Sequence, residues 1–132
     1  MVTDPIGDML IRLKNAQMAR RDTVYIPGSH IKENILRLLQ KEGFIGHFSE
    51  ENEGNKKFFE VSLKYIGRYQ GMIKGTERVS KPGRRVYVRI DGLKKKVGMR
   101  AGLWIVNTSK GVLTHMEALE RRAGGEILLR IW

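Results

Sequence analysis

The sequence predicts an α+β fold of two small α/β subdomains packed together, an α-β-α-β-β half followed by a β-rich half with one short helix. Three observations carry that prediction. Apolar residues near the N-terminus recur at helical spacing, at Ile6, Met9, Leu10 and Leu13. Farther on, Phe59, Val61, Leu63 and Tyr65 alternate with Glu60, Ser62 and Lys64, so one strand face is buried and the other is wet. A stretch with glycines at Gly67, Gly71 and Gly75 and few strong core formers then separates the halves. The expected boundaries are an N-terminal subdomain over 1–66, a linker over 67–75 and a C-terminal β-rich subdomain over 76–132. The whole length of 132 residues suits one domain, or two small ones sharing an interface.

Taken in order, Asp4-Pro5 reads as an N-cap followed by proline at the first helical position, and the apolar stripe predicts a helix from Pro5 to about Met18. Residues 23–27 form a short strand. Ser29 caps a second helix with Ile31, Ile35, Leu38 and Leu39 as its core stripe, ending near Gly43. Strands at Phe44–Ser49 and Lys57–Tyr65 flank the polar connection 50–55, a hairpin signal with glycine in place. In the second half a strand is expected near Glu77–Val79, a turn at Ser80-Lys81-Pro82-Gly83 and a strand at Arg85–Ile90. A basic loop leads to a strand at Leu103–Val106 and then to a five-residue polar loop, Asn107-Thr108-Ser109-Lys110-Gly111. Thr114 with Glu117 makes a capping box for a short helix that stops before Gly124-Gly125, and Glu126–Trp132 closes as a strand.

Charge narrows the function. Lys and Arg total 25 against 14 Asp and Glu, a net charge of +11, which favours phosphate backbones or anionic surfaces as partners. The absence of cysteine excludes disulfides, cysteine nucleophiles and thiolate metal sites. His30, His47 and His115 are scattered without ligand spacing, so no metal and no cofactor is expected. No apolar run reaches the roughly 18 residues of a membrane span, and the N-terminus lacks the order of a signal peptide, so a soluble, intracellular protein with no membrane partner is expected, cytoplasmic or organelle-encoded. Ser29-His30-Ile31-Lys32 matches a Ser-x-x-Lys pattern but lacks the companion motifs of that enzyme class. No catalytic residue and no enzymatic activity is expected.

Three places carry recognition chemistry. The window Arg78–Arg100 holds nine basic residues, among them Lys81, Arg84 and Arg85, against the single acid Asp91; such cations displace condensed counterions from phosphates. Within it, Val86 and Val88 share one strand face while Tyr87 shares the other with Arg85 and Arg89, so Tyr87 is on the wet face, where a tyrosine can stack on an unpaired base. The loop 107–111 offers an amide, two hydroxyls, an ammonium and the permissive Gly111, which can donate to and accept from base edges. Its alternative is a local turn in which Asn107 and Ser109 bond their own backbone. Glu126 either accepts from base amino groups or braces the loop 107–111.

Four blocks then point to a family. Asp4-Pro5-Ile6 with Asp8, Arg12 and Asn15; Ser80-Lys81-Pro82-Gly83-Arg84-Arg85-Val86-Tyr87; Thr108-Ser109-Lys110-Gly111-Val112; and Gly124-Gly125-Glu126 with Trp132 resemble small ribosomal subunit protein 8 of the bacterial type, in the family's order from end to end. The resemblance implies binding to the central domain of small-subunit (16S) rRNA and support of subunit assembly. It implies an RNA surface of Tyr87, Asn107, Thr108, Ser109, Lys110 and Glu126, with Thr3, Arg12, Asn15 and Lys32 contributing from the N-terminal half. It implies neighbouring small-subunit ribosomal proteins as partners, a monomer outside the ribosome, and in some bacteria binding to the operon's own mRNA. The chain departs from the family at Asn107, where serine is usual, at Trp104, where a small residue is usual, and at His115-Met116-Glu117-Ala118-Leu119, where two basic residues and an acid are missing. The different reading is a free-standing translational repressor or other regulatory nucleic-acid binder. Against DNA, the positive charge sits on strands and loops, and no basic helix is expected to suit a major groove.

Overall fold

The computed structural model describes residues 3–68 and 70–132 and divides them into two units, one of Pro5–Lys74 and one of Gly75–Trp132 with the start of the chain through Asp4. Helix content and strand content are both substantial, as an α+β fold requires.

The Pro5–Lys74 unit begins with helix α1, Pro5–Met18, whose buried residues Ile6, Met9, Leu10 and Leu13 are the apolar stripe of the sequence. Burying one such side chain contributes about 1.5–3 kcal/mol, so this stripe alone fixes the helix face. Strand β1 (Thr23–Pro27) follows, then helix α2 (His30–Lys41), where the Ser29 hydroxyl accepts from the Lys32 amide as N-cap. The stripe of α2 is rotated from the expected one: Lys32, Ile35, Leu36 and Leu39 are buried, whereas Ile31 and Leu38 are half-buried. Strands β2 (Ile45–Glu53) and β3 (Lys56–Leu63) form the hairpin, and the antiparallel sheet runs β1-β3-β2.

The connection at 50–55 is shorter than expected. Glu50, Glu51, Asn52 and Glu53 continue β2, and only Gly54-Asn55 turns, with Gly54 at φ +64°. Positive φ at the first of two loop residues matches the twist of the flanking strands, so glycine sits where the hairpin needs it. Residues 67–75, expected as a linker, include strand β5 (Gln70–Gly71), which pairs with β4 (Tyr65–Ile66). They also carry the buried Ile73, whose backbone is held at both ends by the Gln17 amide, at 2.6 and 3.0 Å. The division of the chain falls between Lys74 and Gly75.

In the second unit the elements are β6 (Thr76–Arg78), β7 (Tyr87–Val88), α3 (Ile90–Met99), β8 (Leu103–Thr108), β9 (Gly111–Thr114), α4 (His115–Glu120) and β10 (Gly125–Ile131). The sheet runs β6-β10-β8-β9, with β7 also paired to β10. Two corrections to the sequence reading arise here. The strand expected at Arg85–Ile90 is only Tyr87–Val88, and Ile90 instead opens α3, so this half has two helices rather than one. The five-residue loop 107–111 is a tight hairpin: Asn107 and Thr108 end β8, Gly111 begins β9, and Ser109-Lys110 alone make the turn. The capping box of α4 forms as expected, with Thr114 and Glu117 bonding each other's backbone amides.

Helices α3 and α4 cover one face of this sheet. Leu93, Trp104, Val106, Leu113, Ala118 and Ile127 make a buried cluster, with Val79, Val88, Val97 and Leu119 packed at its edge.

Candidate nucleic-acid interface

The face of the sheet opposite that cluster carries the site. Val106 pairs with Ile127 and points to the core; one residue along, Asn107 pairs with Glu126, which on its other side pairs with Tyr87. Directly opposed residues of an antiparallel sheet point to the same face, and neighbours along a strand to opposite faces. Tyr87, Glu126 and Asn107 therefore form one row across β7, β10 and β8. Tyr87 is 70% exposed, so its ring has no role in the core.

Close backbone approach makes this row possible. A Cβ on Gly125 would stand 2.3 Å from the Asn107 carbonyl oxygen, and one on Gly124 would stand 2.5 Å from the Val88 carbonyl oxygen. The glycine pair thus lets β10 slot between β7 and β8 just before Glu126.

Glu126 is held rather than free. Its Oε2 accepts from the Ser80 hydroxyl at 2.6 Å and from the Arg85 guanidinium at 3.1 Å, and its side chain is 12% exposed. Ser80, fully buried, also accepts from the Val86 amide at 2.9 Å. The carboxylate thus braces the segment 80–86, not the hairpin at 107–111. Both contacts fall on Oε2, so among the described residues Oε1 keeps its lone pairs. That segment is a turn closed by reciprocal Lys81–Arg84 backbone bonds of 3.0 and 2.9 Å, with Pro82-Gly83 at its apex and Lys81, Arg84 and Arg85 exposed.

At the end of β8, Thr108 is buried and its hydroxyl is spent locally, donating to the Gly111 carbonyl at 2.8 Å and accepting from the Lys110 amide at 3.0 Å. The local-turn alternative thus operates through Thr108. Ser109 and Lys110 are exposed at the tip, and the Lys110 ammonium reaches the Arg121 carbonyl at 3.2 Å, at the end of α4. Gly111 has φ +109°, a conformation that L side chains rarely adopt.

The remaining predicted residues separate. Thr3 is exposed and belongs to the same unit as the row, next to Asp4, which accepts from Arg78 at 3.1 Å. Arg12, Asn15 and Lys32 belong to the other unit. Arg12 pairs with Asp8 at 2.7 Å, and with Asn15 it lines a groove of about 510 Å³ shared with Arg21, Val24 and Tyr25. Lys32 is buried, its ammonium donating to the Pro27 carbonyl at 2.9 Å. Burial lowers its pKa, the nearby Asp8 carboxylate pulls it back up, and Arg12 lowers it again. Sequence reasoning missed Ser80 as the clamp on Glu126, because a serine before Lys-Pro-Gly reads as ordinary turn chemistry.

With this geometry in view, the comparisons with known proteins are decisive. The family profile described as ribosomal protein S8 matches residues 4–132. This chain belongs to the ribosomal protein S8 family. It is 47% identical over 137 aligned positions to the small ribosomal subunit protein uS8 of Persephonella marina, covering all of both chains. It is 42% identical to the protein of that name from Lactobacillus delbrueckii subsp. bulgaricus, over all of this chain and 99% of that one. It is 45% identical to the Methylocella silvestris uS8, over 99% of this chain and 98% of that one. Membership of the S8 family makes the chain a structural ribosomal protein of the small subunit and not an enzyme. Among the described residues no helix is long and apolar enough to cross a membrane.

The departures at Trp104 and in α4 are joined in the structure. Trp104 is buried in the cluster that also takes Ala118 and Leu119, and its ring nitrogen donates to the Arg100 carbonyl at 3.1 Å. Its backbone amide donates to His115 Nδ1 at 3.1 Å. Two of the positions where α4 departs, His115 and Leu119, thus bond the Trp104 backbone and pack at the edge of its cluster.

Proposed function

We propose that this S8-family protein binds the central domain of small-subunit (16S) rRNA directly and supports assembly of the subunit. The observation that carries the reading is the in-register row of Tyr87, Glu126 and Asn107 across β7, β10 and β8, with Tyr87 exposed, next to the Ser109-Lys110 turn. The row has the chemistry of base recognition. The exposed Tyr87 ring stacks on an unpaired base, which is worth about 1–3 kcal/mol. The Asn107 amide both donates and accepts, and the Oε1 lone pairs of Glu126 accept from the amino group of cytosine or guanine. Ser80 and Arg85 fix the carboxylate before RNA arrives, so less ordering is lost on binding.

Lys81, Arg84 and Lys110 border the row and supply the phosphate contacts that position the RNA without reading it. Irregular or looped RNA suits this surface, because unstacked bases expose both their faces and their edges. Neighbouring small-subunit proteins complete the set of partners.

The test is filter binding of the full chain to a central-domain rRNA transcript across a range of salt, with duplex DNA of equal length as competitor. Preference for the transcript at every salt concentration is expected. Equal affinity for the two polymers overturns the reading.

A further inference from the structure

The basic window 78–100 is split by the fold. Its first part lies at the 80–86 turn beside the Tyr87 row, but Lys94, Lys95 and Lys96 lie on α3, in the helical layer on the opposite side of the sheet. One strand of RNA lying on the row does not also pass across α3, because the sheet stands between them.

These three lysines spread round the outer side of the helix, since successive residues turn by about 100° and Leu93, Ile90 and Val97 mark the inner side. All three are exposed, and among the described residues none has an ion pair. Several acids of this unit are held elsewhere, and among the described residues neither Asp91 nor Glu120 forms an ion pair with these lysines. Glu77 takes Arg100 and Arg130, Glu126 takes Arg85, and Glu117 closes the capping box. Four arginines of the unit, Arg78, Arg85, Arg100 and Arg130, are thus paired with carboxylates, while the α3 lysines are not. Beside them, Lys94 and Arg122 line a groove of about 410 Å³ together with Ile90, Asp91 and Leu119. On the same outer side Met99 is 80% exposed and offers an apolar contact for a sugar or base.

We propose that the Lys94-Lys95-Lys96 face of α3 is a second polyphosphate-binding surface, which holds the backbone of an RNA segment separate from the one read by the Tyr87 row. The inference rests on the rRNA reading for the identity of its polyanion, but its physical content is the unpaired charge of α3. The competing explanation is local: cations in the last turns of a helix offset its dipole and nothing more.

The experiment compares the full chain with the triple variant Lys94→Gln, Lys95→Gln, Lys96→Gln and with the charge-preserving triple change to Arg. The salt slope of binding is measured on the central-domain rRNA transcript and on duplex DNA, with hydroxyl-radical footprints on the transcript. The Gln triple is expected to lower the slope on the transcript by about 2–3, near 1 for each phosphate no longer neutralised, with an unchanged thermal midpoint. The Arg triple is expected to keep the slope. One protected tract should vanish in the Gln triple while the tract that disappears in Tyr87→Ala remains. An unchanged slope overturns the proposal, as does disappearance of the same tract in both variants. If the wild type shows no preference for the transcript but the Gln triple has a lower slope on both polymers, the α3 surface stands and the rRNA reading falls.

Discussion

Ser80 shows how one small side chain organises the proposed recognition surface. Its buried hydroxyl donates to Glu126 and accepts from the Val86 amide, so it ties the turn before Tyr87 to the strand that carries the carboxylate. Ser80→Ala leaves a buried amide and a mostly buried carboxylate without that partner, a cost of about 1–3 kcal/mol. A lower urea midpoint and weaker transcript binding are both expected; an unchanged midpoint would show that water replaces the hydroxyl. Lys32 makes a prediction with a sign. Because its folded pKa is lowered, chiefly by burial, the unfolded chain holds that proton more tightly. The stability from this group therefore rises with pH between the lowered value and the ordinary lysine value. Tyr65 acts in the opposite sense: burial and then Asp22 raise its phenol, so its contribution is full below the ordinary tyrosine value and is lost as pH rises through the raised one. In Lys32→Met the alkaline gain should disappear and only the Tyr65 decline remain, read as urea midpoints from about pH 8 to pH 11. A rise with pH surviving in the variant would assign the effect elsewhere.

Elements with local signals were legible from the sequence, and elements set by partners were not. Helix α1 runs Pro5–Met18, as its proline and apolar stripe dictate, and the α4 capping box needed no tertiary help. Helix α3 escaped because it has one fully buried residue, Leu93, and because Gly92, Gly98 and three lysines in succession blur its period. The end of β2 escaped for a related reason: residues 50–53 are all exposed, so no alternation marks them as strand. The individual residues of the recognition row were visible, but the row itself was not, since positions 87, 107 and 126 meet only through pairing with β10. That pairing makes Gly125 the most demanding position of the strand. In Gly125→Ala the new methyl meets the Asn107 carbonyl oxygen at 2.3 Å, so β8 and β10 must part. We expect a loss of about 1–3 kcal/mol in stability and a displaced Asn107, seen as a lower thermal midpoint with reduced preference for the transcript. Wild-type stability in that variant would mean that the strands separate without cost.

At the scale of the whole molecule, the distribution of charge matters more than its total. The chain carries +11, yet the arginines nearest the sheet core are matched to acids: Arg78 to Asp4, Arg85 to Glu126, Arg130 to Glu77. In the Gly75–Trp132 unit, exposed cations without a carboxylate include Lys81 and Arg84 beside the Tyr87 row and Lys94, Lys95 and Lys96 on α3, the distribution expected if phosphates position an RNA that the row reads. On the proposed rRNA reading, this row, and not the general positive charge, carries the preference for rRNA. The measurement that tests it most directly is competition between the central-domain transcript and duplex DNA for the double variant Tyr87→Ala, Asn107→Ala. Neither side chain belongs to the buried cluster under α3 and α4, so the thermal midpoint should hold. The preference for the transcript should fall roughly tenfold to a hundredfold, with the salt slope unchanged because no cation is removed. A double variant that keeps the full preference, or shows a lower slope instead, would contradict it.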